Sequence, residues 1–238
     1  MAESATDLAS SAGLRPSLEV QLSRHAAVMV VASSASVVTG WSGWLVLSAV
    51  LSFAVLWSYR MPSRSPLPGG IGWADALTGA RLVVLILASA SVAGSAAEWM
   101  IWAFALNVVL DAADGYVARR LATATPFGAV LDREVDAFFV LVAYLHFQLD
   151  GWLGAWVLVA GILPYAYRLL ASVAPAPVAA GHKERMAARL AGLNFLLLIA
   201  AMAMPTYSSP ILVTSVAVVC VSFASSFRGL CRHVHPLS

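Results

Sequence analysis

Eight apolar runs, parted by short polar or Pro/Gly-rich stretches, set the pattern of the chain: 25–39, 42–58, 78–95, 97–120, 127–149, 152–171, 187–204 and 209–227. Crossing a bilayer as a helix takes about 20 mostly apolar residues, and a helix satisfies its own backbone hydrogen bonds there. The pattern therefore predicts an all-α, polytopic membrane protein with about eight transmembrane helices. Thr39, Gly40 and Gly43 place a turn between the first two runs, so that 25–59 forms an N-terminal hairpin whose first arm is rich in Ala and Ser. A cleaved leader fits less well than an uncleaved hairpin, because the polar lead-in is long and a second apolar run follows closely. Residues 60–72 hold three prolines and three glycines and read as a linker. A six-helix unit follows over 73–228, with polar tails at 1–24 and 229–238. Thr125 before Pro126 suits a helix start, with the threonine as cap and the proline in the first turn. Further loops are expected around Pro175 and Pro177, and between Pro205 and Pro210.

The cations fix how such a bundle would lie. Hydrophobic residues make up 61% of the chain and charged ones 11%, with a mean hydropathy of +0.83, beyond what a water-soluble domain of this size needs. The fourteen Lys and Arg residues all fall on one side when eight spans are drawn. The opposite turns, near 40, 96, 150 and 207, carry none. By the positive-inside rule both termini face the cytoplasm, and the expected site is the inner or plasma membrane of the cell. Cys220 and Cys231 make no disulfide framework, Cys220 reading as packing, and no nucleic-acid partner is expected.

Against this apolar background one stretch is anomalous. Asp111 and Asp114 are three apart and Asp132 and Asp136 four apart, spacings that put each pair on one helical face. Gly115, Ala118 and Gly128 leave space beside them. Four uncompensated carboxylates at a membrane boundary cost several kcal/mol each, so a cation is expected. Oxygen-only ligands favour a hard divalent ion, Mg²⁺ or Mn²⁺, over zinc. Asn107, one turn before Asp111, reads as an interhelical hydrogen-bonding residue, and Arg120 and Arg133 as topology determinants.

Asp111, Asp114, Gly115, Ala118, Arg119, Gly128, Asp132 and Asp136 keep the spacing D-x₂-D-G-x₂-A-R-x₈-G-x₃-D-x₃-D. This run resembles the signature of the CDP-alcohol phosphotransferases, also called CDP-alcohol phosphatidyltransferases. Asp75, Leu77, Thr78 and Arg81 read D-x-L-T-x-x-R, which is similar to the N-x-L-T-x-x-R that often opens the first core helix of that family. The resemblance covers about 73–228 and leaves the hairpin and linker outside. It implies that Asp111, Asp114, Asp132 and Asp136 hold two divalent ions, with Asp136 also the base that activates an acceptor hydroxyl. It further implies that Thr78, Asp75, Gly115, Ala118, Arg119 and Gly128 form the CDP side of the site. The Asp at 75, in place of Asn, puts that one contact in question.

The reaction so implied moves a phosphatidyl group from CDP-diacylglycerol to a small alcohol, with release of CMP, in a protein that is commonly a homodimer. Arg168, Lys183, Arg185 and Arg189 would meet the phosphate of an acceptor such as glycerol 3-phosphate or inositol phosphate. Orientation of the chain and contact with lipid headgroups explain the same cations without an acceptor. Two other readings compete. A membrane prenyltransferase also uses aspartates and Mg²⁺ but spreads its motifs over distinct halves of the chain. A transporter or a non-catalytic scaffold is the second; a transporter favours inverted repeats, and the sequence has no convincing repeat.

Overall fold

The computed structural model describes residues 16–59, 72–91, 97–121, 125–173 and 182–234. Eight α-helices occupy them: α1 (Pro16–Thr39), α2 (Gly43–Ser58), α3 (Trp73–Ala90), α4 (Ala97–Leu121), α5 (Pro126–Leu149), α6 (Leu158–Val173), α7 (His182–Ala203) and α8 (Ser208–Val234). Five are long and apolar enough to cross a membrane, and the apolar parts of α2 and α7 are shorter. Helix α5 stands apart by composition, since Asp132, Arg133, Glu134 and Asp136 load its first half with charge. The protein is thus a polytopic, all-helical membrane protein. The linker, the 175–177 loop and the outermost tails lie outside the described residues.

Helix α5 is the axis of the bundle. From Phe138 to Leu145 every side chain is buried, as an apolar helix enclosed on all sides must be. It packs against α1, α3 and α6. Phe139 adds ring contacts to Phe104 of α4 at 4.8 Å and Phe195 of α7 at 4.6 Å. The approach of α6 is close because Gly161 has no side chain: a Cβ there would lie 3.1 Å from the Leu141 Cα. Lower on the same helix Tyr144 donates to Ser215 of α8 at 2.8 Å, and Ser215 to Asn194 of α7 at 2.6 Å. These buried bonds set the rotation of α7 and α8 about α5, where apolar packing alone is permissive.

The local signals behave as their chemistry dictates. Thr125 caps α5, its hydroxyl accepting from the Gly128 amide at 2.8 Å, with Pro126 in the first turn. Gly40 and Gly151 sit at φ 66° and 74°, a region that costs other residues strain, and each ends a helix at a turn free of cations. Helix α1 starts at Pro16, well before the apolar run that begins near 25. Leu18, Leu22, Ala26 and Met29 explain the difference, forming one buried stripe at helical spacing through an otherwise polar segment.

Candidate active site

Three helices meet at one point, two of them bringing carboxylates. Asp111 and Asp114 lie in the last three turns of α4, Asp132 and Asp136 line one face of the first turns of α5, and α3 runs alongside both. Asp111, Asp114 and Asp132 each offer an oxygen within 4.8 Å of the others. Between them lies Arg81 of α3, whose side chain is 1% exposed. Its Nη1 meets Asp111 Oδ1 at 2.8 Å and Asp114 Oδ2 at 3.3 Å, and also bonds Asp132 Oδ1. Its Nη2 donates to Asp136 Oδ1. A planar guanidinium with fixed donors is the side chain able to bridge carboxylates from separate helices in this way.

A short polar relay holds the arginine. Asn107 donates from Nδ2 to the Arg81 carbonyl at 2.9 Å, the interhelical bond expected of it, and its Oδ1 lies 3.4 Å from Arg81 Nε. Thr78, one turn before Arg81, donates to Asp114 Oδ2 at 3.1 Å. Charge does not balance among these groups. Four carboxylates face one guanidinium, which leaves the cluster three negative charges in excess when all are ionised.

The other expected residues fall as follows. Asp75 is buried beside the first turn of α5, where the positive end of that helix favours a carboxylate. A Cβ on Gly128 would lie 2.5 Å from Asp75 Oδ1 and 2.9 Å from Thr125 Oγ1. The room beside Gly128 is therefore taken by Asp75. Gly128→Ala is expected to lower stability by about 1–3 kcal/mol through overpacking, read as a fall in melting temperature, since Asp75 is buried and the Thr125 hydroxyl is engaged as the cap. Gly115 lies half-buried one residue after Asp114. The side chains of Ala118, Arg119, Lys183 and Arg185 lie outside the described residues. Arg189 is exposed on α7. Arg168 of α6 is turned inward and pairs with Glu134 of α5.

Next to Asp136 lies a cavity of about 320 Å³. Arg133, Asp136 and Asn194 give it a polar side, while Val140, Phe195 and Phe223 are among its apolar walls. Two residues of this region were not singled out from the sequence. Arg81 belongs to the D-x-L-T-x-x-R run, but in sequence it is one cation among fourteen. Glu134 lies between two aspartates and in sequence merges with them. The signal for Arg81 was its place one turn from Thr78 on an otherwise apolar helix.

Over residues 72–224 the chain matches the family described as CDP-alcohol phosphatidyltransferase, well over half of its length. The chain belongs to this family. No curated protein and no solved structure matches it. As a CDP-alcohol phosphatidyltransferase family member the protein is a membrane transferase of phospholipid biosynthesis, which moves a phosphatidyl group from a CDP-linked donor. The prenyltransferase, transporter and scaffold readings give way to that membership. The hairpin α1–α2 lies outside the matched span.

Proposed function

We propose that the donor is CDP-diacylglycerol and that the four aspartates are its transfer site. One observation carries the reading: Asp136 belongs both to the carboxylate cluster around Arg81 and to the wall of the cavity. A residue in that position faces donor chemistry on one side and an incoming acceptor on the other.

The donor set fits a divalent metal. Asp111, Asp114, Asp132 and Asp136 are hard oxygen ligands, Arg81 engages one oxygen of each, and the excess negative charge calls for further cations. Mg²⁺ or Mn²⁺, two ions in the fullest version, would neutralise the diphosphate there and stabilise the leaving CMP. The residues do the rest. Asp136 takes the proton of the acceptor hydroxyl as its oxygen attacks the phosphatidyl phosphorus. The bond from that phosphorus to the bridging oxygen breaks, and CMP departs with the oxygen and the electron pair. Thr78, through Asp114, and Asn107, through Arg81, keep the carboxylates oriented.

The acceptor is a small alcohol entering the cavity from the cytoplasmic side, the side that the positive-inside rule favours for the site. For a phosphorylated polyol such as glycerol 3-phosphate or inositol phosphate, Arg133 at the cavity wall replaces Arg168, which Glu134 holds. Arg189, Lys183 and Arg185 at the start of α7 complete the proposed anion-binding set. The nucleotide would lie against Gly115, Ala118, Arg119 and the α3–α5 contact of Thr78, Asp75 and Gly128. A homodimer is part of the reading, by analogy with the family.

Metal-dependent CMP release by the purified protein tests it. The acceptor panel is glycerol 3-phosphate, inositol phosphate, inositol and serine. The expected result is release with one acceptor, in Mg²⁺ or Mn²⁺ and not in EDTA. Binding of CDP-diacylglycerol without release for any acceptor would reject the panel and keep the donor, and absence of both would reject the donor.

A further inference from the structure

The face of α5 opposite the aspartates is as organised as the face that carries them. Glu134 lies two residues from both Asp132 and Asp136, about 160° around the helix from each. Its side chain is 1% exposed, and it pairs with Arg168 of α6. Beside its other oxygen lies the neutral imidazole of His25 of α1, with Nε2 at 3.7 Å and 1% exposed, packed against the carboxylate without a hydrogen bond. The His25 ring in turn contacts Phe53 of α2 at 4.6 Å and Tyr165 of α6 at 5.9 Å.

The hairpin also grips α5 on either side of this cluster. Phe53 meets Phe138 with ring centroids 5.5 Å apart, and Trp57 meets Phe127 at 6.5 Å. Phe127, Leu131, Glu134 and Phe138 are one helical stripe, about 130° around α5 from the stripe of Gly128, Asp132 and Asp136. Arg81 thus holds the front of α5 and Arg168 the back, at the same level along the helix.

We propose that His25, Glu134 and Arg168 form a rear clamp that sets the rotation of α5, making the N-terminal hairpin a positioning part of the active site. The proposal rests on the reading of the four aspartates as the transfer site. A carboxylate about 5 Å from a helix axis moves by more than about 1 Å when the helix turns by about 15°. Displacements of that size cost on the order of 100-fold in rate when reacting groups are misplaced. None of the three is a catalytic residue, since each acts through α5.

Burial separates this role from simple packing. A buried imidazole whose ring nitrogens lack hydrogen-bond partners among the described residues lowers stability, so leucine in its place is neutral or stabilising. A structural role predicts that His25→Leu folds at least as well and works as well. The clamp predicts that it folds as well and works worse.

The experiment uses the full chain in lipid nanodiscs, with His25→Leu, Glu134→Gln, their double variant and His25→Gln, which keeps a polar side chain packed beside Glu134. For CMP release, kcat should fall about tenfold or more in both single variants, with KM for CDP-diacylglycerol changed less than about twofold. The double variant should be no worse than Glu134→Gln alone, and His25→Gln should recover most of the rate. Mn²⁺ titration followed by electron paramagnetic resonance should show weaker binding in the same order, a readout that stands even if no tested acceptor is turned over. The proposal is overturned by additive losses, by unchanged kcat and Mn²⁺ affinity in His25→Leu, or by losses that follow melting temperature across the set.

Discussion

Arg81→Met is expected to stop turnover and to lower the melting temperature of the metal-free protein by about 10 °C. The estimate follows from leaving buried charge unpaired, which costs about 3–5 kcal/mol, at about 2–4 °C per kcal/mol for a chain of this size. Arg81 is buried between four carboxylates from two other helices, so its loss removes the one cation that bridges them among the described residues. The loss should shrink when Mg²⁺ is added, because a divalent ion supplies the charge that the guanidinium no longer does. Arg81→Lys should fall between, since one ammonium on a flexible stem cannot present donors to all four groups. Thermal scans of the three proteins in EDTA and in Mg²⁺ check this. A methionine variant as stable as the parent in EDTA would mean that the aspartates are held apart by their helices and not gathered by the arginine.

That arginine marks the limit of what local spacing specifies. The aspartates were legible because their spacing is local: three or four residues decide which face a carboxylate takes, whatever the rest of the fold does. The cap at Thr125 and the turns at Gly40 and Gly151 were legible for the same reason. Arg81 could be seen as a cation but not as a partner. Its contacts cross from α3 to α4 and α5, and every arginine in a membrane protein already has a bland explanation as an orientation signal. Glu134 was hidden by its neighbours, since a carboxylate between two aspartates reads as part of the same cluster. It is helical geometry that turns it to the other side of α5, and only the position of Arg168 shows why a charge is tolerated there. The early start of α1 was missed because hydropathy averaging hides a single apolar stripe among Glu19, Gln21 and Ser23. The cavity belongs to four helices at once and has no local signature.

Asp136→Asn should behave in the opposite way to Arg81→Met, keeping the fold while losing the reaction. The asparagine has the same shape but cannot take a proton, so kcat should drop by about 10²–10⁴ if Asp136 is the base. Its donor KM should change little, because Asp111, Asp114 and Asp132 stay gathered without it. In EDTA the variant should be no less stable than the parent, for it removes one of four like charges that a single arginine must hold. Asp114→Asn gives the contrast. It sits inside the group of three and accepts from Thr78, so its loss should weaken Mn²⁺ binding and donor affinity together with rate. Steady-state kinetics of both variants, paired with Mn²⁺ titration, read the difference. If Asp136→Asn loses Mn²⁺ as Asp114→Asn does, Asp136 is chiefly a ligand, and the base must be sought elsewhere along the cavity wall. If it retains both the metal and most of kcat, proton removal by this residue is not part of the reaction. Retained metal with a rate lowered by two orders or more assigns the proton to Asp136, at the one place where the charged cluster meets the cavity.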